Sequence, residues 1–150
     1  PMRTYRALGI FILATVLGGC AGTRTVTIGQ LEPQKKVMTA AIVPQDFNSP
    51  EMDANIQNYL SSKGITVRQP LPAGTRQSNA VDALVTYTDV WRSDIVMYLH
   101  SLDITLLDGT SGKPLVTGTW KHSRLHTFPN PQNKVRELFD EMFSKLRAPN

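Results

Sequence analysis

Side chains that could do chemistry are few and dispersed in this 150-residue chain. Ser, His and Asp all occur, but no G-x-S-x-G elbow lifts a serine onto a strand-to-helix turn. Gly109 and Gly112 fall in Asp108-Gly109-Thr110-Ser111-Gly112-Lys113, between two strand-like segments. A phosphate-cradling loop instead opens a helix. His122 and His126 are four apart, a spacing that puts two metal ligands on one face of a helix. Here the segment is a strand end running into Phe128-Pro129, with no third ligand at hand. No metal or other cofactor is therefore expected. His100 shares an alternation with Leu102, Ile104 and Leu106 and reads as a core or rim histidine. Asp89, Asp94, Asp103 and Asp108 are spread over two strands and their turns. Glycoside cleavage needs two carboxylates across a cleft at a defined spacing. Asp108 suits the turn and the other three suit a solvated surface. The expectation is a protein that is not an enzyme. The alternative, a small-ligand binder or small hydrolase, would need His122, His126, Asp89 and Tyr98 to line one pocket.

Two tryptophans stand out for binding. Trp91 and Trp120 each lie in a strand-like segment beside a cation, Arg92 and Lys121. Either they pack in the core, or they offer aromatic contacts to a protein partner, a glycan or a membrane interface. Tyr87 and Tyr98 could extend such a patch. Trp91, Trp120 and Tyr98 are the candidate partner contacts.

The sole cysteine, Cys20, closes the N-terminal segment. Arg3 and Arg6 precede Ala7 to Leu17, an uncharged apolar run too short to cross a bilayer, which takes about 20 apolar residues. A charged start, an apolar core and small residues before a cut are the parts of a secretory signal. No disulfide can form within one chain, so the fold rests on its own core. Leu17-Gly18-Gly19-Cys20 resembles the lipobox of bacterial lipoproteins. That resemblance implies diacylglycerol on the Cys20 sulfur, cleavage just before it and fatty acylation, as by palmitate, of the new amino group. It also explains the odd thiol. Ala21 and Gly22 follow where an Asp would favour inner-membrane retention, so the resemblance implies the outer membrane, facing the periplasm. Lipid of this kind anchors firmly because each buried CH2 contributes about 0.8 kcal/mol.

Cleavage removes Arg3 and Arg6, which lowers the formal charge from +4 to +2. No run of like charge exceeds Lys35-Lys36, and nothing suggests nucleic acid as a partner. The organisation expected is a signal peptide over 1–19, a lipidated tether over 20–36 and a single domain over 37–150.

The elements that must position these residues follow from periodicity. A short strand at Arg24–Ile28 is an option within the tether, since Val26 and Ile28 alternate with threonines. Val37 to Val43 reads as a buried strand ended by Pro44. Ser49-Pro50-Glu51 is a helix start, and Met52, Ile56, Tyr59 and Leu60 form its apolar face, with Lys63-Gly64 closing it. Ile65 to Arg68 is a short strand, and 69–82 a surface loop. Ala83 to Trp91 and Tyr98 to Leu107 are strands. Leu115 to Arg124 returns antiparallel, with Val116, Gly118 and Trp120 on one face. A second helix starts at Asn130-Pro131 and carries Val135, Leu138, Phe139, Met142, Phe143 and Leu146 on one stripe. The order implies an α+β two-layer sandwich: a mainly antiparallel sheet of four to five strands, two helices on one face, and a threonine-rich, partly exposed face opposite.

This arrangement over roughly residues 37–146 resembles small periplasmic α+β lipoproteins. They include the curli-secretion lipoprotein, the activators of peptidoglycan synthases and the amino-terminal domain of the Tol-system propeller protein. Ala83-Leu84-Val85-Thr86-Tyr87, a further strand, and the hairpin from Asp108 through Gly112 to Val116 carry the resemblance. No functional residue is carried over with it, because a shared fold leaves function open. It implies a lipid-anchored, non-enzymatic module that binds a protein or polymer partner in the cell envelope. A ring-forming component of a polymer-export machine is a further alternative.

Overall fold

The computed structural model describes residues 22–29, 36–123 and 128–147. The elements run β1 (Thr23–Ile28), β2 (Thr39–Ile42), α1 (Pro50–Ser62), β3 (Thr66–Val67), β4 (Ala83–Ser93), β5 (Met97–Asp108), β6 (Pro114–Lys121) and α2 (Pro131–Arg147). They form one open six-stranded sheet in the order β1-β6-β5-β4-β2-β3. Both helices pack on one face, so the α+β two-layer sandwich is the observed architecture.

Each helix begins where its capping residues dictate. Ser49 Oγ accepts from the Met52 N–H at 3.2 Å, and Pro50 opens α1 at no hydrogen-bonding cost. Asn130 caps α2 in the same way, its Oδ1 accepting from the Asn133 N–H at 2.9 Å. The apolar stripes point into the sheet: Met52, Ile56, Tyr59 and Leu60 from α1, and Val135, Leu138, Phe139, Met142 and Phe143 from α2 are buried. Tyr59 stacks on Phe139 with ring centroids 4.8 Å apart, which joins the two helices. Burying each such side chain is worth about 1.5–3 kcal/mol. Gly118 makes the close approach of α2 possible. A Cβ there would lie 2.7 Å from Met142 Sδ and 2.8 Å from Leu138 Cδ1.

The meander β4-β5-β6 is antiparallel, as its alternation predicts. The sheet differs from the expectation at both flanks. β2 runs parallel to β4 and to β3, so the strand-helix-strand unit β2-α1-β3 is a crossover. Asp82 holds this junction: its Oδ2 accepts from the N–H groups of Met38 and Thr39, both at 2.9 Å. On the other flank, residues expected in a tether supply the edge strand β1, which pairs with β6 from Thr23↔Lys121 to Ile28↔Val116. Lys145 Nζ donates to Val26 O at 3.0 Å, and Arg24 pairs with Glu137 and Glu141 of α2. These charges blunt an edge that would otherwise offer free backbone groups.

One register shift changes which residues face the core. Val90 lies opposite Ser101 and Trp91 opposite Leu99, so His100 is the extra residue of a bulge. Leu99 is thereby turned inward and fully buried, in line with Leu102, Ile104 and Leu106. His100, expected to continue that row, is displaced from it.

The face away from the helices carries two aligned rows. Thr27, Thr117, Thr105 and Thr86 form one, and Thr25, Thr119, Asp103 and Thr88 the other. Next to them the loop over 69–82 folds back, and Leu71 and Val81 cover Ala41, Val43 and Leu84.

Candidate functional site

The sheet has two unlike ends. At one end the β4–β5 hairpin stands clear of the other strands. β6 stops with Lys121 opposite Ser101, and His122 adds one last bond from its N–H to His100 O at 2.8 Å. Beyond that row, residues 91–93 and 97–99 pair only with each other. The turn between them is apolar and open, with Ile95 89% exposed and Val96 47%. Behind it stands an aromatic group. Tyr98 meets His122 edge-on at 5.5 Å and Phe128 at 6.0 Å, and His122 touches Trp120 at 6.1 Å.

Two of the three aromatic contact candidates are thus linked, through His122. Trp120 is 3% exposed, however, and lies beneath α2 with Lys134 Nζ over its ring. It is a packing residue, because the β6 face it shares with Val116 and Gly118 is the one the helices cover. Trp91 lies two strands from Trp120 and is half-buried against the core. Its indole N–H donates to Asp89 Oδ2 at 2.6 Å. Tyr98 remains partly exposed among the rings at the hairpin end. Cys20 and His126 lie outside the described residues, as does most of the stretch 20–36 that is not β1.

Asp89 is one of the few buried carboxylates, and its surroundings explain it. Ser49 Oγ donates to it at 2.5 Å, and the Asn48 side-chain amide and the Ser49 N–H approach at 3.5 and 3.4 Å. Together with Trp91, these donors tie the N-cap of α1 to β4. Beside it, Tyr87 donates its hydroxyl to Asp53 at 2.6 Å. Burial, with the neighbouring Asp53 and Asp89 carboxylates, pushes the Tyr87 phenol well above its ordinary range. The Tyr59 phenol is raised in the same way, by burial and its bond to Asp140, and Asp140 is lowered chiefly by accepting that bond. These groups are partners of one another, so they are set for structure.

His100 and His122 both carry a buried Nδ1 that meets no partner among the described residues. Burial and the nearby charges of Arg92 and Lys121 lower the His100 pKa. Asp108 accepts from the Ser111 N–H at 2.7 Å and so serves the hairpin turn, as its position predicts. Among the described residues, no three His, Cys, Asp or Glu side chains are grouped to hold a metal ion. His122 and Tyr98 come together, but Asp89 lies opposite Leu102, its Oδ2 accepting from Ser49 and Trp91 and its Oδ1 facing the Asn48 amide and Ser49 N–H. Among the described residues, Asp89 is thus not brought into one pocket with Tyr98 and His122.

The opposite end has a cavity of about 1120 Å³ between the C-terminal ends of the helices. Lys36, Lys63 and Arg147 ring it, and Tyr59, Ile65 and Phe143 line its floor. Asp140 and Ser144 also line it, and the Asp140 carboxylate is taken up by the Tyr59 hydroxyl at 2.6 Å and Lys63 Nζ at 3.1 Å.

Fold and site define an open six-stranded α+β sandwich with an apolar, aromatic hairpin end and no assembled catalytic group among the described residues. Among solved structures, this chain is similar to the PelC dodecamer from Paraburkholderia phytofirmans. A single-residue variant of PelC matches with a TM-score of 0.52 at 17% identity, covering 86% of this chain and 99% of that one. PelC in a second crystal form matches with 0.50 at 16% identity, with the same coverage. A PDZ domain protein from Parabacteroides distasonis matches with 0.50 at 14% identity, over 85% of this chain and 36% of its own. No protein-family model and no curated protein sequence matches the chain. At these identities the likeness is one of fold.

Proposed function

We propose that this chain is a lipid-anchored domain of the bacterial cell envelope, held by acylated Cys20 to the periplasmic face of the outer membrane. It is non-enzymatic and binds a protein or envelope-polymer partner. The observation that carries this reading is Leu17-Gly18-Gly19-Cys20 at the end of an 11-residue apolar run from Ala7 to Leu17. On this reading the lipid is joined to the domain by a short link, because β1 begins three residues after Cys20. Metabolic labelling with a radioactive fatty acid tests it. Wild-type protein should incorporate label, and Cys20→Ser should incorporate none and remain uncut or unanchored. Normal labelling of Cys20→Ser refutes the reading.

One observation favours a more specific version. The fold match is to a protein solved as a dodecamer. A ring-forming component of a polymer-export machine is therefore the leading form of partner binding, with further copies of this chain as the partner. Native mass spectrometry of the detergent-solubilised lipoprotein separates the two. A defined multimer supports the ring, and monomer across the accessible concentration range removes it.

A further inference from the structure

We propose that the β4–β5 hairpin tip, with Phe128 beside it, is a second membrane contact, seated in the interface of the bilayer that holds the Cys20 lipid. The proposal rests on the lipid-anchor reading above and adds an orientation to it.

Three observations converge. The first is the distribution of exposed apolar side chains. Of the seven large exposed apolar side chains among the described residues, Ile95, Val96, Met97, Val90 and Phe128 belong to the hairpin end, Phe47 to the β2–α1 loop, and Met38 to the opposite end. A concentration of exposed apolar side chains at one tip, three of them consecutive, marks a site that meets a partner or a membrane.

The second is geometry. β1 and β5 both run away from the hairpin end, because each is antiparallel to β6. Thr23, Lys121 and Ser101 form one row across the sheet. From Ser101 back to Met97 is four residues, or about 13 Å of strand. From Thr23 back to Cys20 is three residues, at most about 10 Å of extended chain. The lipid attachment therefore lies within about 10 Å of Thr23, at the end of the sheet from which the hairpin projects. Gly22 keeps the chain on this course, since a Cβ there would strike the Trp120 indole and Lys121 O. An anchor on so short a leash leaves the domain little freedom to turn another surface toward the lipid.

The third is chemistry. Ile95, Val96 and Met97 form the apolar tip. The exposed cations Arg92 and Lys121 stand behind it, with Tyr98 and His122 between. Apolar tip, aromatic middle and cationic shoulder match acyl chain, interface and anionic headgroup in that order. Asp94 is the one acid in the turn, and its N–H is engaged with Val96 O.

Acylation consumes the Cys20 thiol, so an introduced cysteine is the only free one. Ile95→Cys and, as a control, Ser61→Cys at the exposed far end of α1 are labelled with an environment-sensitive fluorophore. The full lipidated protein is reconstituted into vesicles of phosphatidylethanolamine and phosphatidylglycerol carrying lipid-borne quenchers. Fatty-acid incorporation is measured on the same samples. The expected result is blue-shifted emission and quenching at position 95, strongest for quenchers about 5–10 Å below the headgroup surface, and neither at position 61. Unquenched emission at position 95 in protein that does carry lipid overturns the membrane contact and leaves the anchor standing. A shift at position 95 that appears only when envelope protein is added assigns the tip to a protein partner and also overturns it. Protein without fatty acid overturns the anchor reading and this proposal with it.

Discussion

Replacing Asp89 by Ala tests whether the junction between α1 and β4 is held by its carboxylate. Ser49 Oγ and Trp91 Nε1 donate to it at 2.5 and 2.6 Å. A hydrogen bond to a charged group contributes about 1.5–3 kcal/mol, and a buried donor left without an acceptor costs about 1–3 kcal/mol. Ser49 and Trp91 are only partly buried, so water recovers some of that loss. The carboxylate's own desolvation, relieved in the variant, recovers more. A net destabilisation of about 2–4 kcal/mol follows, against a total stability of about 5–15 kcal/mol for a domain. Urea denaturation followed by tryptophan fluorescence measures it. The midpoint should fall with the slope unchanged, as expected when contacts are lost and the exposed surface is not. Asp89→Asn keeps the volume and an acceptor oxygen that can serve both Ser49 and Trp91, and should lose less than Asp89→Ala. A double-mutant cycle with Ser49→Ala should give a coupling of about 0.5–3 kcal/mol, because the two side chains touch. A loss below about 0.5 kcal/mol for Asp89→Ala, within the range of neutral surface changes, would refute this account of the junction.

Two further outcomes follow from the same packing. Gly118→Val should destabilise the domain by about 1–3 kcal/mol by pushing Met142 and Leu138 off β6, and Met142→Ala should restore part of the loss in the double variant. Additive losses in the thermal melts of the three variants would show that α2 does not rest on Gly118. Stability should also fall on mild acidification. His100 has a lowered pKa in the folded chain, chiefly through burial, so below about pH 6.5 the unfolded chain binds the extra proton more readily. The contribution is complete above that pH and is lost as pH falls toward the folded value. Denaturation midpoints from pH 7.5 down to 5.5 should decline, and His100→Gln should flatten the slope. A wild-type midpoint that rises on acidification contradicts the sign.

Local order was legible in the amino-acid sequence, and long-range order less so. The faces of α1 and α2, their caps and the Asp108 turn follow from spacing alone, because each is set within one or two helical turns or one hairpin. The parallel placement of β2 beside β4 did not follow. It depends on Asp82 reaching back to Met38 and Thr39, a contact between residues more than forty positions apart. The bulge at His100 is also hidden, since an alternating sequence gives no sign of a skipped residue. It alone explains why Leu99 is buried. Trp120 shares its face with Val116 and Gly118, and that pattern could have marked it as core. Between the strands expected over 83–91 and 98–107, spacing alone gives the hairpin tip no role beyond a connection. Ile95-Val96-Met97 is nevertheless an apolar run in a turn, where polar residues are the rule, and that was the available signal.

The place of β1 has a consequence for the order of assembly. It is the first element of the fold to be made, yet its partners on β6 lie 88 to 98 residues later in the chain. Pairing it therefore means closing a loop of about that length, which is slow beside the formation of the local hairpins. Until that loop closes, Thr-Arg-Thr-Val-Thr-Ile is an unpaired strand-forming segment, the kind that joins other chains. Arg24 in its middle is the charge that discourages such joining. When β6 and α2 finally arrive, the same guanidinium finds Glu137 and Glu141 and helps hold the strand it had kept apart.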